Sequence, residues 1–136
     1  MIELSLEMAE RAVRAAQECA RALGTPMTVS VVDEGGRLVL CARGDGTGFF
    51  TPDTTRAKAV AAAAFRTTTA ELAVQASKGW GFWQAMPDCL RGDVLPTPGA
   101  APIVRNGRVI GAIGCGGGTG AQDQECADAG AAVLKD

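Results

Sequence analysis

Histidine and tyrosine are missing from this chain of 136 residues. Without imidazole there is no Ser-His-Asp or Cys-His nucleophile, no His-ligated zinc and no proximal-His haem. Aromatic residues are scarce, at 4%. Cysteine occurs at 19, 41, 89, 115 and 126, but no C-x-x-C is formed, so zinc-site spacing is lacking and no metal is expected. Five is an odd number, so complete internal pairing is impossible, and reduced thiols suit a cytoplasmic protein. The start, Met1-Ile2-Glu3-Leu4-Ser5, has neither the basic nor the apolar region of a secretory signal. No stretch approaches the ~20 apolar residues that span a bilayer, so no membrane partner is expected. Basic residues are not in excess: 13 Lys and Arg stand against 15 Asp and Glu, a net charge of −2, which argues against nucleic acid.

What is present is apolar material in regular patterns. Hydrophobic residues make up 47% of the chain. The length suggests one domain over residues 1–136, burying on the order of 68% of its unfolded surface. Leu6, Ala9, Val13, Ala16, Ala20 and Leu23 recur at helical steps, with Ser5 as N-cap, Gly24 as the C-terminal stop and Pro26 beyond it. In residues 27–33, Met27, Val29 and Val31 alternate with Thr28 and Ser30, as in a strand with one buried face. A turn at 34–37 returns the chain through Leu38–Arg43. Thr51-Pro52 opens an Ala-rich helix to about Phe65, and Thr68 with Glu71 caps another to about Ser77. Residues 79–100 are expected to be an irregular loop with a short strand at Asp93–Leu95. Asn106-Gly107 joins a second hairpin, and Thr119 with Gln122 caps a helix over about Ala121–Leu134. The order α-ββ-αα-(β)ββ-α predicts an α+β fold, an antiparallel sheet flanked by helices.

Several groups are candidates for chemistry. Gly116 and Gly117 lie in a glycine run between a strand and a helix, where free N–H groups favour an anion. The same run also suits a tight structural turn. Its G-x-G-x-x-A spelling has no following strand, so it is no dinucleotide fold. Phe49, Phe50, Trp80, Phe82 and Trp83 are five of the six aromatics, and all lie in expected loops. Rings held off the regular elements line a pocket, anchor an interface or form a satellite core. Arg43 can hold a carboxylate in bidentate fashion and Lys58 as a point charge. Lys58 or Asp45 can act as acid or base, while exposed pairs such as Arg43–Asp45 are more often solvated. Cys115, beside backbone donors, is either a reactive thiol or a small buried hydrophobe. Asp123, Glu125 and Asp128 can hold a hard cation, or simply complement a helix start.

In combination these residues resemble the GlcG/HbpS-like family. The resemblance is carried by Val32-Asp33-Glu34-Gly35-Gly36-Arg37-Leu38, Arg43-Gly44-Asp45-Gly46, Lys58-Ala59 and Gly99-Ala100-Ala101-Pro102-Ile103. It continues through Val109-Ile110-Gly111-Ala112-Ile113-Gly114 and its glycines, Gln122-Asp123 and Ala127-Asp128-Ala129-Gly130. It implies a profilin-like fold and homo-oligomers, often octamers. It also implies relatives that bind or degrade haem, serve in a glycolate operon or form the tail of corrinoid adenosyltransferases. The chain departs from the family pattern at its aromatic 79–92 segment, and at Cys115 and Gly116, where Val and Ser are commoner. With no His or Tyr, haem iron would need Cys, Met, Lys or Thr as its ligand, which disfavours haem as a cofactor.

The expected function is therefore a cytoplasmic, oligomeric protein that binds a small anionic organic ligand. Trp80, Phe82 and Trp83 would wall its pocket, with Arg43, Lys58, Cys115, Gly116 and Gly117 supplying polar contacts. Two alternatives stand beside it. One is a cofactor-free isomerase, hydratase or lyase in which Lys58 or Asp45 moves protons and residues 116–118 hold an oxyanion. The other is haem binding.

Overall fold

A computed structural model describes residues 3–79 and 81–135. The first helix, α1 (Leu6–Leu23), starts where the Ser5 hydroxyl accepts the Met8 N–H and stops at Gly24, left-handed at φ 70°. It buries Ala9, Ala12, Val13, Ala16 and Ala20, whereas Leu6 faces solvent. The strands are β1 (Thr28–Asp33), β2 (Leu38–Ala42), β3 (Ala100–Arg105) and β4 (Arg108–Gly116). They form one antiparallel sheet in the order β2-β1-β4-β3. Asn106 and Gly107, at φ 51° and 72°, make the tight turn between β3 and β4, whose twist matches that of the strands. Pro102 sits on the edge strand β3, where a missing N–H is tolerated.

Helix α2 (Thr51–Phe65) covers one face of the sheet. The other face carries α1 and α5 (Gly120–Ala132), which starts in the Thr119–Gln122 capping box. The main core lies on the α1/α5 side and contains Val29, Val31, Ile103, Ile113, Cys115 and Cys126. Under α2 the residues are small: Ala59, Ala62 and Ala63 meet Val32, Ala100 and Ala112.

The strand β1 corrects one expectation. Thr28 and Ser30 do not face water; both are fully buried under α2. Thr28 Oγ1 lies 2.9 Å from Thr51 Oγ1, and Ser30 Oγ lies 2.8 Å from Thr55 Oγ1. Paired hydroxyls satisfy one another, so a polar stripe can be buried without the cost of unmet hydrogen bonds.

The expected 79–100 loop is also corrected. After α3 (Thr69–Lys78), residues Phe82–Cys89 form a short helix, α4, with Pro87 inside it. No strand forms at 93–95. Instead, Arg56 holds Asp93 at 2.7 Å and the Leu95 N–H donates to the Ala57 carbonyl, strapping this segment along α2.

Candidate functional site

Three chain segments meet at the end of β4. The first half of α2 brings Thr51, Thr54 and Lys58, the β4–α5 turn brings Gly116, Gly117 and Gly118, and α5 brings Asp123. With Gly48, Phe50 and Leu95 they line an open pocket of about 360 Å³. Thr51, Thr55 and Lys58 follow one another at helical steps of four and three, so the face that fixes α2 to β1 also aims Lys58 at the end of β4.

Lys58 is the polar centre. Its side chain is 9% exposed and that of Asp123 is 7% exposed. Nζ donates to Asp123 Oδ2 at 3.2 Å and to the Cys115 carbonyl at 3.0 Å. Asp123 Oδ1 accepts the Gly118 N–H at 2.9 Å. Both carboxylate oxygens are thus engaged, whereas the ammonium has a third N–H for which no acceptor is seen among the described residues. Gly99, at φ 135°, makes room for the pair: a Cβ there would lie 2.8 Å from Lys58 Nζ and 2.7 Å from the Cys115 oxygen.

Cys115 contributes only its carbonyl. Strand alternation turns its side chain into the α1/α5 core, away from Gly116. Burial pushes the thiol well above its ordinary value, with the neighbouring Cys126 and Asp123 adding to the rise. It is therefore a buried hydrophobe, as one of its two sequence readings had it.

The other expected site residues lie elsewhere. Arg43 and Asp45 line a separate pocket with Gln17, Arg21, Thr25 and Met27, at the end of α1. Asp45 therefore does not share a pocket with Lys58, which lies in the one at the end of β4. Phe82 and Trp83 do not wall the Lys58 pocket. They cluster with Phe65, at ring separations of 6.2 and 5.1 Å, and Trp83 packs on the buried Leu72 and Val94. Phe65 stands eleven residues beyond Thr54, roughly 16 Å along α2, so these rings belong to its opposite end. Trp80 lies outside the described residues. Phe50 is the ring that does line the pocket, with Phe49 edge-on against it at 5.8 Å.

Sequence reasoning passed over Thr54 and Gly99, and it took Asp123 only as a cation ligand or a helix-start acid. Helical spacing from Thr51 and Lys58 would have put Thr54 beside them. The pairing of Asp123 with Lys58 spans 65 residues and left no local signal.

Residues 4–132 match the model of the haem degrading protein HbpS-like family. The chain belongs to the HbpS-like family. It is 30% identical, over 92% of its own length and 87% of the relative's, to an uncharacterized 15.0 kDa protein from the dhaT-dhaS intergenic region of Citrobacter freundii. It is 29% identical to the corrinoid adenosyltransferase PduO of Salmonella typhimurium, over 98% of this chain but only 39% of that one. Among solved HbpS-like structures, a double mutant of Streptomyces reticuli HbpS is similar at TM-score 0.86 and 35% identity, over 96% of this chain and 86% of that one. PduOC in complex with haem is similar at TM-score 0.86 and 30% identity, over 96% and 94%. The four-stranded sheet with helices on both faces is thus the HbpS-like fold.

The donors around the Lys58 pocket do not fit haem iron. Lys58 is committed to Asp123 and a carbonyl, the Cys115 thiol faces the core and is held protonated, and no imidazole or phenol exists in the chain.

Proposed function

We propose that this HbpS-like protein binds a small organic molecule in the Lys58 pocket and holds it by an oxygen acceptor. The observation that carries the reading is the buried ammonium with two N–H groups satisfied by the chain and a third left for a guest. Thr54 and the backbone of Gly116 and Gly117 add polar contacts, and Phe50 and Leu95 provide apolar walls. A concave site with few polar groups and apolar walls is the usual form of a ligand pocket. Arg43 and Asp45 take no part in this reading, nor do Phe82 and Trp83. Calorimetry with benzoate tests it. Binding is expected, weakened about threefold to tenfold in Thr54→Val by the lost hydrogen bond. Absence of heat with wild type, or equal binding by Thr54→Val, would contradict it.

A second reading follows from the haem complex of PduOC. Here haem would be held by a Met, Cys, Lys or Thr other than Lys58 and Cys115, away from the Lys58 pocket. Titration with haemin separates the two: a saturable Soret shift supports haem, and an unchanged spectrum removes it. A cofactor-free enzyme is favoured by one observation alone, that Lys58 and the glycine turn share a cavity, so that a proton donor and the backbone of the turn flank one space. Such an enzyme would work without Asp45. We also infer assembly into homo-oligomers, because Phe49 is 89% exposed and Phe50 54% exposed at the pocket rim.

A further inference from the structure

Building on the reading of the Lys58 pocket as a ligand site, we propose that Gly116 determines what enters it: its missing side chain opens the backbone between Lys58 and Thr54 to the carboxylate of a short monocarboxylic acid. The glycines around the pocket differ in why they are glycine. At Gly117, at φ 137°, a Cβ would lie 2.5 Å from the Pro26 oxygen. At Gly118 it would meet Gln122 Oε1 at 2.7 Å, and at Gly114 it would run into the Thr55 carbonyl. Gly99 is required by the ion pair itself. Each of these is explained by the chain's own conformation or packing.

Gly116 is not. It lies in β4 and is not among the residues with positive φ. A Cβ there would meet the Thr55 methyl at 3.0 Å, which a shift of a few tenths of an ångström relieves. Its other neighbours would be Lys58 Nζ at 3.8 Å and Thr54 Oγ1 at 3.9 Å, both polar and both lining the cavity. Glycine inside a strand weakens it, and it is found where a ligand or another backbone comes close. Here the missing methyl would stand between two hydrogen-bonding groups, so a ligand head group is what glycine admits.

The lining also fixes the chemistry of that head group. The acceptors near it each already take a donor of the chain: Asp123 takes the Gly118 N–H and Lys58, and the Cys115 carbonyl takes Lys58. What remains are donors, the third Lys58 N–H and the Thr54 hydroxyl, whose bond to the Thr51 carbonyl is long at 3.4 Å. Two donors suit a group with two acceptor oxygens and no N–H of its own.

NMR titration of the protein with butyrate, butyramide and butylamine tests this. Wild type should bind butyrate best and butylamine worst. Gly116→Ala, with an unchanged melting temperature, should lose roughly tenfold or more for butyrate, as expected when one methyl group fills a pocket. Arg43→Ala should bind as wild type does. If Gly116→Ala does not fold, Thr54→Val carries the test and should lose at least threefold. Butyrate binding undiminished in Gly116→Ala, or preference for butylamine, overturns the inference and leaves the pocket reading standing, whereas binding undiminished in Thr54→Val overturns both. No binding of any of the three by wild type overturns both.

Discussion

At the scale of single residues, the buried Lys58–Asp123 pair matters most. Removing one member of such a pair strands the other charge in the interior, at a cost of about 3–5 kcal/mol. Lys58→Met should therefore lower stability by about that amount in urea unfolding, and Lys58→Met combined with Asp123→Leu should recover most of it. A double variant as unstable as the sum of its parts would show that the pair is not the source. The thiols give a second prediction. Burial, with the Cys19 sulfur next in weight, pushes Cys126 from its ordinary value of 9.0 up to about 12, and Cys115 rises as well. Below about pH 9 these thiols are protonated in both states and their contribution is intact. Above it the unfolded chain ionises first, so stability falls as pH rises, and the Cys126 contribution is lost as the pH passes through about 12. The slope reaches about 1.4 kcal/mol per pH unit for each thiol. Unfolding midpoints between pH 8 and 10.5 should fall, and Cys126→Ala should flatten the decline. Lys58 was legible in the sequence as a lysine within a family-like string. Its partner was not, because a contact across the fold writes nothing into local spacing.

At the scale of elements, short-range physics was well recorded. Ser5, Gly24, Thr68, Thr119 with Gln122, and Asn106-Gly107 all act through bonds to near neighbours, and each marks the boundary or turn expected of it. Helix α4 was hidden because Gly, Pro and aromatics read as loop, while its packing depends on Phe65 and Leu72 from other helices. The burial of Thr28 and Ser30 was hidden for a related reason: alternation reports one apolar face and is silent on a helix bringing hydroxyls to the other. The approach of α2 to the sheet depends on Gly114, against which the Thr55 carbonyl rests. Gly114→Ala should cost about 1–3 kcal/mol through overpacking, read as a lowered unfolding midpoint. An unchanged midpoint would mean that α2 can lift away from β4 without loss.

At the scale of the whole molecule, two hairpins side by side leave β2 and β3 as the sheet edges, while α2 and the α1/α5 pair cover its faces. This arrangement places the end of β4, at the centre of the sheet, next to the starts of α2 and α5. A pocket forms there because the glycine turn supplies no side chains to fill it. The aromatic loop rim beside it carries the assembly prediction. Sedimentation velocity should give a species well above the 13.9 kDa chain, and Phe49→Ser should shift it toward smaller sizes. A wild-type monomer would remove the proposed assembly without touching the pocket.

The central claim is that a guest sits on Lys58 between α2 and the glycine turn. A crystal structure of the protein grown with benzoate tests it most directly. The account predicts the carboxylate within hydrogen-bonding distance of Lys58 Nζ, over Gly116, with the ring toward Phe50 and Leu95. Benzoate bound beside Arg43 and Asp45, with the Lys58 pocket holding only water, would contradict it.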